Sequence, residues 1–228
     1  MRWWSVALSG MALAACDGGD YGGRGEHLIG IGLEERDIPG EDIQMLQLAV
    51  QRGHAVVVGE PGRTDIRVEP VLDGGDEEDV TLVVATDDDG NLAIAAQSED
   101  EGDLTVRVLV PPDLAYQVAV DEGDAHVCGV EVGGEVAVDE GNARVSLFPG
   151  TELEVAVNQG DILLELPPDI DVDLDAAAED GRIDIDGIPF SGTQSDEIAT
   201  GELGRGGQPG IELAVNEGNI EIRAWPEN

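Results

Sequence analysis

The strongest constraint on this chain is a repeat of 18 or 19 residues, which dominates the sequence past residue 110. Each copy consists of alternating apolar residues, then usually a Gly-Asp or Gly-Asn pair, and then a second apolar pair. The turn positions of the copies are residues 53, 123, 141, 160, 179 and 218. A period this short and this regular predicts one small structural unit that is stacked several times.

The copy around Gly141 indicates what each unit builds. Val136 and Val138 alternate with polar or small residues, as in a strand with one buried face. Gly141 and Asn142 then reverse the chain, because glycine adopts φ > 0 without steric cost, and a second apolar run follows from Val145. The sequence therefore predicts an all-β fold, a single β-solenoid (β-helix-like) of roughly eight coils. A meander of hairpins is the alternative, because its turns also recur at regular spacing.

The repeated unit V-x-V-x-x-G-[DN]-x-x-[VI] resembles that of the bacterial putative-adhesin family, a domain family of unknown function built as a β-solenoid. The closing pattern is also similar, with strands over 174–187, a polar, glycine-rich interruption over 191–210 and a last copy over 211–222. The resemblance covers residues 43–224 and implies that 46–58 form the first coil. It brings no catalytic residues with it and implies a structural or interaction role.

The first fifteen residues resemble a bacterial export signal. Arg2 precedes an apolar stretch of about a dozen residues, too short for a bilayer core that needs roughly 20. The stretch ends in Leu-Ala-Ala-Cys at 13–16, which resembles the lipobox of bacterial lipoproteins. The resemblance implies that residues 1–15 are a cleaved signal peptide. It also implies that Cys16 carries a diacylglycerol and an acyl chain such as palmitate on its new amino terminus.

The remaining chain divides into two parts. Residues 16–26 comprise the lipidated cysteine and a glycine-rich stretch without a hydrophobic pattern, which predicts a flexible tether. Residues 27–228 are the predicted solenoid domain. Because the acidic domain offers no basic or amphipathic surface, the lipid on Cys16 is the expected membrane attachment.

The formal charge of −39 comes from 50 acidic residues against 11 arginines. Without a basic patch the chain cannot displace phosphate counterions, so nucleic acid is excluded as a partner. An anionic lipid surface would repel the domain, which again assigns membrane contact to the lipid. Charge of one sign keeps a protein soluble at the expense of self-repulsion, which salt screens.

Stacked turns are expected to align acidic side chains along one edge. The pairs Asp121/Glu122 and Asp139/Glu140 would form such columns, and carboxylates at this spacing repel one another unless cations screen them. Weak binding of Ca²⁺ through oxygen ligands is therefore a hypothesis for these four residues. The loop at 87–91 lacks a ligand at the first position of an EF-hand, so it does not predict a dedicated calcium site.

The histidines and the second cysteine show no metal-ligand spacing. His126 and Cys128 form a His-x-Cys pair, whereas a zinc site needs three or four ligands, and His27 and His54 lie far from them in sequence. Cys128 is the only cysteine besides Cys16, and it is interpreted as a small packed hydrophobic residue.

These observations predict a lipid-anchored protein of the cell envelope, facing the periplasm or the exterior, on either the inner or the outer membrane. Its domain is expected to be a non-enzymatic, adhesin-like structural or interaction module whose partner is an envelope protein or glycan. An acidic cation-binding or salt-adapted surface protein is the alternative. A polysaccharide-active β-helix enzyme is the third class, and it would need convergent catalytic groups that the sequence does not reveal.

Overall fold

The structure is a computed structural model that describes residues 27–74, 79–99, 104–146, 152–207 and 210–225. The predicted signal peptide (1–15), Cys16 and the tether that follows it lie outside these residues.

Twenty β-strands account for most of the described residues. In chain order they are β1 (His27–Ile31), β2 (Arg36–Pro39), β3 (Met45–Arg52), β4 (His54–Gly59), β5 (Asp65–Leu72), β6 (Val80–Thr86), β7 (Asn91–Ser98), β8 (Leu104–Val110), β9 (Ala115–Glu122), β10 (Ala125–Cys128), β11 (Gly134–Glu140), β12 (Ala143–Ser146), β13 (Leu153–Gln159), β14 (Ile162–Leu166), β15 (Val172–Asp180), β16 (Ile183–Asp186), β17 (Phe190–Gln194), β18 (Ile198–Leu203), β19 (Gly210–Glu217) and β20 (Ile220–Ala224). Within the described ranges no helix is long and apolar enough to cross a bilayer. The predicted all-β class is confirmed.

The strands form two large mixed sheets that share one apolar core. Sheet A has eleven strands in the order β1-β6-β7-β3-β9-β11-β13-β19-β15-β18-β17. Sheet B has nine strands in the order β16-β20-β14-β12-β10-β4-β8-β5-β2. Inward-facing aliphatic side chains of both sheets belong to a single buried cluster, for example Val118 and Val136 from sheet A and Val127 and Val145 from sheet B.

The centre of each sheet is parallel, and its register follows the repeat. In sheet A, Val136 of β11 lies opposite Val118 of β9 on one side and Val155 of β13 on the other. In sheet B, Val127 of β10 lies opposite Val145 of β12. Equivalent residues of successive copies thus stack directly, and the offsets of 18 and 19 residues are the sequence period.

The spatial order of the copies differs from their order in the chain. The last copy, β19 and β20, lies beside the fourth copy, β13 and β14, and the degenerate copy β15 and β16 packs on its far side. The earliest copy, β3 and β4, lies inside both sheets, between β7 and β9 and between β8 and β10. Sequence similarity identifies the copies but does not determine their neighbours.

The turn position predicted at residue 179 is wrong by two residues. In the structure Asp180 lies opposite Glu217 and Ile183 opposite Ile220, so that Gly181 occupies the glycine position of this copy. A shift of two residues leaves every side chain on the same face of a strand, so the apolar pattern does not distinguish the two registers.

Antiparallel strands close both ends of sheet A and one end of sheet B, whereas the other end of sheet B is β16, which is parallel to β20. One end of sheet A is β1-β6-β7 and the other is the hairpin of β17 and β18, which pairs with β15. Sheet B ends in β8-β5-β2, also antiparallel. Hairpins, the alternative drawn from the sequence, occur only toward the ends of sheet A, as β6-β7 and β17-β18, and stacked parallel copies describe the centre.

Candidate functional site

The turn glycines form a column along the edge where each central copy passes from sheet A to sheet B. Their spatial order is Gly53, Gly123, Gly141, Gly160, Gly218 and Gly181. A Cβ atom on Gly141 would collide with the carbonyl oxygen of Gly123, and Gly141 has a φ of 142°. Both the close approach of the backbones and the backbone angle require glycine here. The glycine column is therefore explained by packing.

The residues that follow these glycines form a hydrogen-bonded row, the Asx ladder. Oδ1 of Asp124 accepts hydrogen bonds from the backbone N–H of Asn142 (2.9 Å) and from its side-chain amide (3.0 Å). Oδ1 of Asn142 accepts one from the backbone N–H of Asp161 (3.0 Å). Oδ1 of Asp161 accepts two from Asn219 (2.7 and 3.0 Å). Carboxylates and amides alternate along the ladder, which keeps like charges apart. His54 extends it, because its Nδ1 accepts the backbone N–H of Asp124 at 3.2 Å.

The structure places the four residues of the cation hypothesis on the neighbouring strands β9 and β11: Asp121, Glu122, Asp139 and Glu140. Burial, with the nearby charges of Asp139 and Glu122, raises the pKa of Asp121. Glu122 forms an ion pair with Arg52 at 3.1 Å, and Asp139 accepts a hydrogen bond from Asn158 at 2.8 Å. In the part of the chain that the structure describes, no group of three or more His, Cys, Asp or Glu side chains is arranged to hold a metal ion. Ca²⁺ binding at these residues stays a prediction.

A second acidic row crosses the outer face of sheet A. Glu135, Glu154 and Glu212 lie opposite one another on β11, β13 and β19, followed by Asp175 on β15. They line an open groove of about 470 Å³. Burial and the charges of Glu135 and Glu212 raise the pKa of Glu154. The groove therefore concentrates negative charge.

The outer face of sheet B carries a different arrangement. Glu165 on β14 is only 5 % exposed, and two arginines hold it from neighbouring strands. Arg144 donates to Oε2 at 2.8 and 3.0 Å, Arg223 donates to Oε1 at 2.9 and 3.2 Å, and Ser146 also donates to Oε2. Burial would raise the pKa of Glu165, but these hydrogen bonds outweigh it and lower the pKa.

The arginine cluster around Glu165 was missed by the sequence reasoning, although the repeat contains its signal. Ser146, Glu165 and Arg223 each stand five residues after a turn glycine, and Cys128 has the same position in its copy. Aligning the copies would have placed these side chains in one column, as the structure does.

His126 and Cys128 lie near this cluster on β10, both half-buried on the outer face of sheet B. Burial and the charge of Arg144 lower the pKa of His126. Burial raises the pKa of the free Cys128 thiol, against the opposite effect of Arg107 and Arg144. This environment favours a neutral thiol, as expected of a packed side chain. His27 belongs to β1, whose side chains are not described.

The Asp-rich loop at 87–91 joins β6 to β7. Oδ1 of Asp87 accepts the backbone N–H groups of Asp89 (3.0 Å) and Asn91 (2.8 Å), and Oδ2 accepts the amide of Asn91 (2.7 Å). Burial would raise the pKa of Asp87, but these bonds lower it. The carboxylate is thus used to shape the hairpin turn.

The two sheets differ strongly in charge. The strands of sheet A carry thirteen acidic residues, namely Asp121, Glu122, Glu135, Asp139, Glu140, Glu154, Asp173, Asp175, Glu179, Asp180, Glu202, Glu212 and Glu217, against one arginine, Arg52. The strands of sheet B carry seven, namely Asp37, Asp65, Glu69, Glu165, Asp184, Asp186 and Glu221, against five arginines, Arg36, Arg67, Arg107, Arg144 and Arg223. Sheet B is therefore close to charge balance within a strongly acidic molecule.

The fold is shared with a solved structure of a protein described as a putative cell adhesion protein. The crystal structure of a putative cell adhesion protein from Clostridium sporogenes matches with a TM-score of 0.59 and 11 % identity, over 84 % of this chain and 99 % of that one. At this identity the likeness shows the fold alone. A putative adhesin from Bacteroides fragilis covers 86 % of this chain and 98 % of its own at 11 % identity, but its TM-score of 0.24 supports no argument. No protein-family profile and no curated protein matches the sequence.

Proposed function

We propose that this chain is a non-enzymatic, adhesin-like interaction module of the bacterial cell envelope. The observation that carries the proposal is the charge contrast between the two sheets. A molecule with a charge of −39 repels most acidic surfaces, so contact with a partner is favoured where its own acidic excess is smallest. That place is the outer face of sheet B. The fold shared with a protein described as a cell adhesion protein supports the same role.

Arg107 is the arginine of this face best suited to meet a partner. Its side chain is 46 % exposed, and its ion pair with Glu69 is long, at 3.4 Å. Glu69 also pairs with Arg67 at 2.9 Å, so Arg107 shares its partner. A guanidinium of this kind can donate to a carboxylate of an envelope protein or of an acidic glycan.

The experiment is crosslinking in cells with two charge-reversal variants. Arg107→Glu should abolish recovery of the partner, because it adds repulsion on the contacting face. Arg52→Glu is the matched control on sheet A, since the Arg52 side chain is 41 % exposed and is also paired with a glutamate. Equal recovery from both variants, or loss from both, would contradict the assignment of sheet B as the contacting face.

We further propose that the module is held on a membrane by lipid on Cys16, after removal of residues 1–15. The lipobox-like sequence at 13–16 and the acidity of the chain support this anchor. Cys16→Ser should move the protein from the membrane fraction to the soluble fraction. A protein that stays with the membrane after this substitution would contradict the lipoprotein proposal.

The parallel centre is best interpreted as a β-solenoid. Support comes from the ladders, in which equivalent residues 18 and 19 positions apart pair directly in both sheets. Deleting residues 142–160 would remove one period and join two equivalent positions, so a solenoid should refold with one coil fewer. Deleting 142–151 instead should unfold it. If neither deletion variant refolds, the result would argue against the solenoid.

Salt adaptation is a second candidate, favoured by the crowding of Glu135, Glu154 and Glu212. If repulsion in this row matters, the melting temperature should rise with NaCl, and Glu154→Gln should reduce that rise. CaCl₂ at matched ionic strength should add a further increase only if the carboxylates bind the ion. A melting temperature that is insensitive to salt would remove this candidate.

A further inference from the structure

We infer that the edge strand β17 (Phe190–Gln194) pairs antiparallel with β17 of a second copy of this chain, across a two-fold axis at Gly192. This inference rests on the edges of the sheets and is independent of the proposed adhesion function. It concerns a surface distinct from the outer face of sheet B.

β17 is the least protected of the four sheet edges. At the edges, β2 contains Asp37 and Pro39, the four-residue β16 carries Asp184 and Asp186, and the pairing of β1 with β6 is irregular near residues 28–30. Charges, prolines, short strands and irregular pairing are the features that stop edge strands from pairing with other chains. β17 contains no charge, no proline and no irregular pairing, and four of its five residues are exposed.

The hairpin of β17 and β18 shows which backbone groups of β17 face outward. The bonds from Ser195 N–H to the carbonyl of Ile198 (2.8 Å) and from Gly204 N–H to the carbonyl of Pro189 (2.8 Å) fix the hydrogen-bonded pairs at both ends. Antiparallel pairs alternate between bonded and non-bonded. The N–H and C=O groups of residues 190, 192 and 194 therefore point to the open edge.

This set of outward groups is symmetric about Gly192. In a two-fold antiparallel pair Gly192 would lie opposite Gly192 of the second copy, and Phe190 opposite Gln194, which forms about six backbone hydrogen bonds. Between them Ser191 would face Thr193 of the second copy, a favourable cross-strand pair of hydroxyl side chains. An isologous contact of this kind closes on itself as a dimer.

Charge also favours this edge for self-association. Residues 189–195 are seven consecutive uncharged residues in a chain with 50 acidic ones. Acidic residues close to this segment include Glu202, opposite Ser191 on β18, and Asp196 and Glu197 in the hairpin turn. Since two copies of charge −39 repel each other, we expect the dimer to strengthen as salt rises.

The test is sedimentation equilibrium of the full chain carrying Cys16→Ser, at protein concentrations up to about 0.5 mM, in low and high NaCl. The expected result is a monomer–dimer equilibrium that shifts toward dimer in high salt. Gln194→Pro removes an outward N–H in both copies and should weaken dimerisation by about tenfold or more. Gln194→Ala is the control: it loses the same side-chain contact to the carbonyl of Ile183 but keeps the N–H, and should dimerise as the parent does.

A covalent trap makes the test independent of the proline variant. Oxidation of Ser191→Cys/Thr193→Cys should yield a disulfide-linked dimer, because these positions face each other across the axis. The same pair placed one strand inward, Thr200→Cys/Glu202→Cys, should not. A monomer under all conditions, equal dimerisation of Gln194→Pro and Gln194→Ala, or equal trapping by both cysteine pairs would overturn the inference.

Discussion

The parallel centre of the molecule and its antiparallel ends follow different rules. In the centre each strand lies opposite equivalent residues of another copy, so the same glycine and the same Asp or Asn recur along the stack. At both ends of sheet A and at the β2 end of sheet B the strands reverse direction, and the sequence identity between neighbours disappears. The difference shows that the repeat determines the register in which the central strands pair. The stack of parallel strands ends where the sequence no longer follows the repeat.

The largest contrast is expected between glycines of the two regions. Gly141→Ala should destabilise the fold by about 3–5 kcal/mol, because its Cβ meets the carbonyl of Gly123 and its φ is 142°. Gly62→Ala, in the turn before β5, also has a positive φ (82°) but open space around it, and should cost about 1 kcal/mol. Chemical denaturation measures both. If both variants lost the same free energy of unfolding, the centre would tolerate this substitution as well as the ends do.

The next largest difference in stability loss between the centre and the ends is expected when ion pairs are removed. Glu165→Gln should cost about 2–3 kcal/mol, because Glu165 is buried between two arginines in the centre. Asp171→Asn removes an exposed pair with Arg205 near the end and should cost clearly less. Denaturation midpoints of the two variants give the comparison, and a larger loss for Asp171→Asn would reverse it.

Glu165 should also make the stability of the fold depend on pH. Its pKa is lowered on folding from the ordinary 4.5, so its contribution to stability is fully present above pH 4.5 and is lost as pH falls through the lowered value. The gap in unfolding free energy between wild type and Glu165→Gln should therefore narrow below pH 4.5. A gap that widens on acidification would contradict the geometry around Glu165.

A smaller effect tests the alternation in the Asx ladder. Asn142→Asp places a third carboxylate between Asp124 and Asp161 and should cost about 1 kcal/mol at low salt. The neutral control Asn142→Ser loses the amide bond without adding charge. Only the aspartate variant should recover stability in high NaCl. Identical salt responses would show that charge alternation contributes nothing measurable.

The smallest change expected is a gain. Tyr116 is buried in the centre with its ring over Gly134, and its hydroxyl has no hydrogen-bond partner among the described residues. Tyr116→Phe removes that unsatisfied group and should stabilise the fold by up to about 1 kcal/mol. A loss of stability in thermal unfolding would indicate that the hydroxyl has a favourable contact in solution.

The sequence predicts the centre well because equivalent residues of the copies pair with one another, so the repeat gives the register of the strands. Identity between copies identified the strands around Gly123, Gly141 and Gly160, and the structure pairs them at the expected offsets. The order of the copies was not predictable in this way. By their apolar pattern, β15 and β19 are equally good neighbours for β13, and the structure places β19 there.

The surface features were harder to predict for a different reason. Glu165 and Arg223 are 58 residues apart, and neither stands out among the 61 charged residues until the register brings them together. The unprotected edge at β17 depends on knowing which strand is last in the sheet. The cluster at Glu165 and the open edge at β17 both depend on the order of the strands in the sheets. Local sequence patterns do not determine that order.

The position of the last copy also affects how the chain can fold during synthesis. β19 and β20 are inserted between strands formed from earlier residues, so neither sheet is complete until residues 210–224 have left the ribosome. Until then β13 and β15 expose edges that belong to β19, a state open to mispairing. Such long-range pairing also predicts slow folding. Loss of residues 210–224 would thus detach β15, β18 and β17 from the rest of sheet A, and β16 from the rest of sheet B.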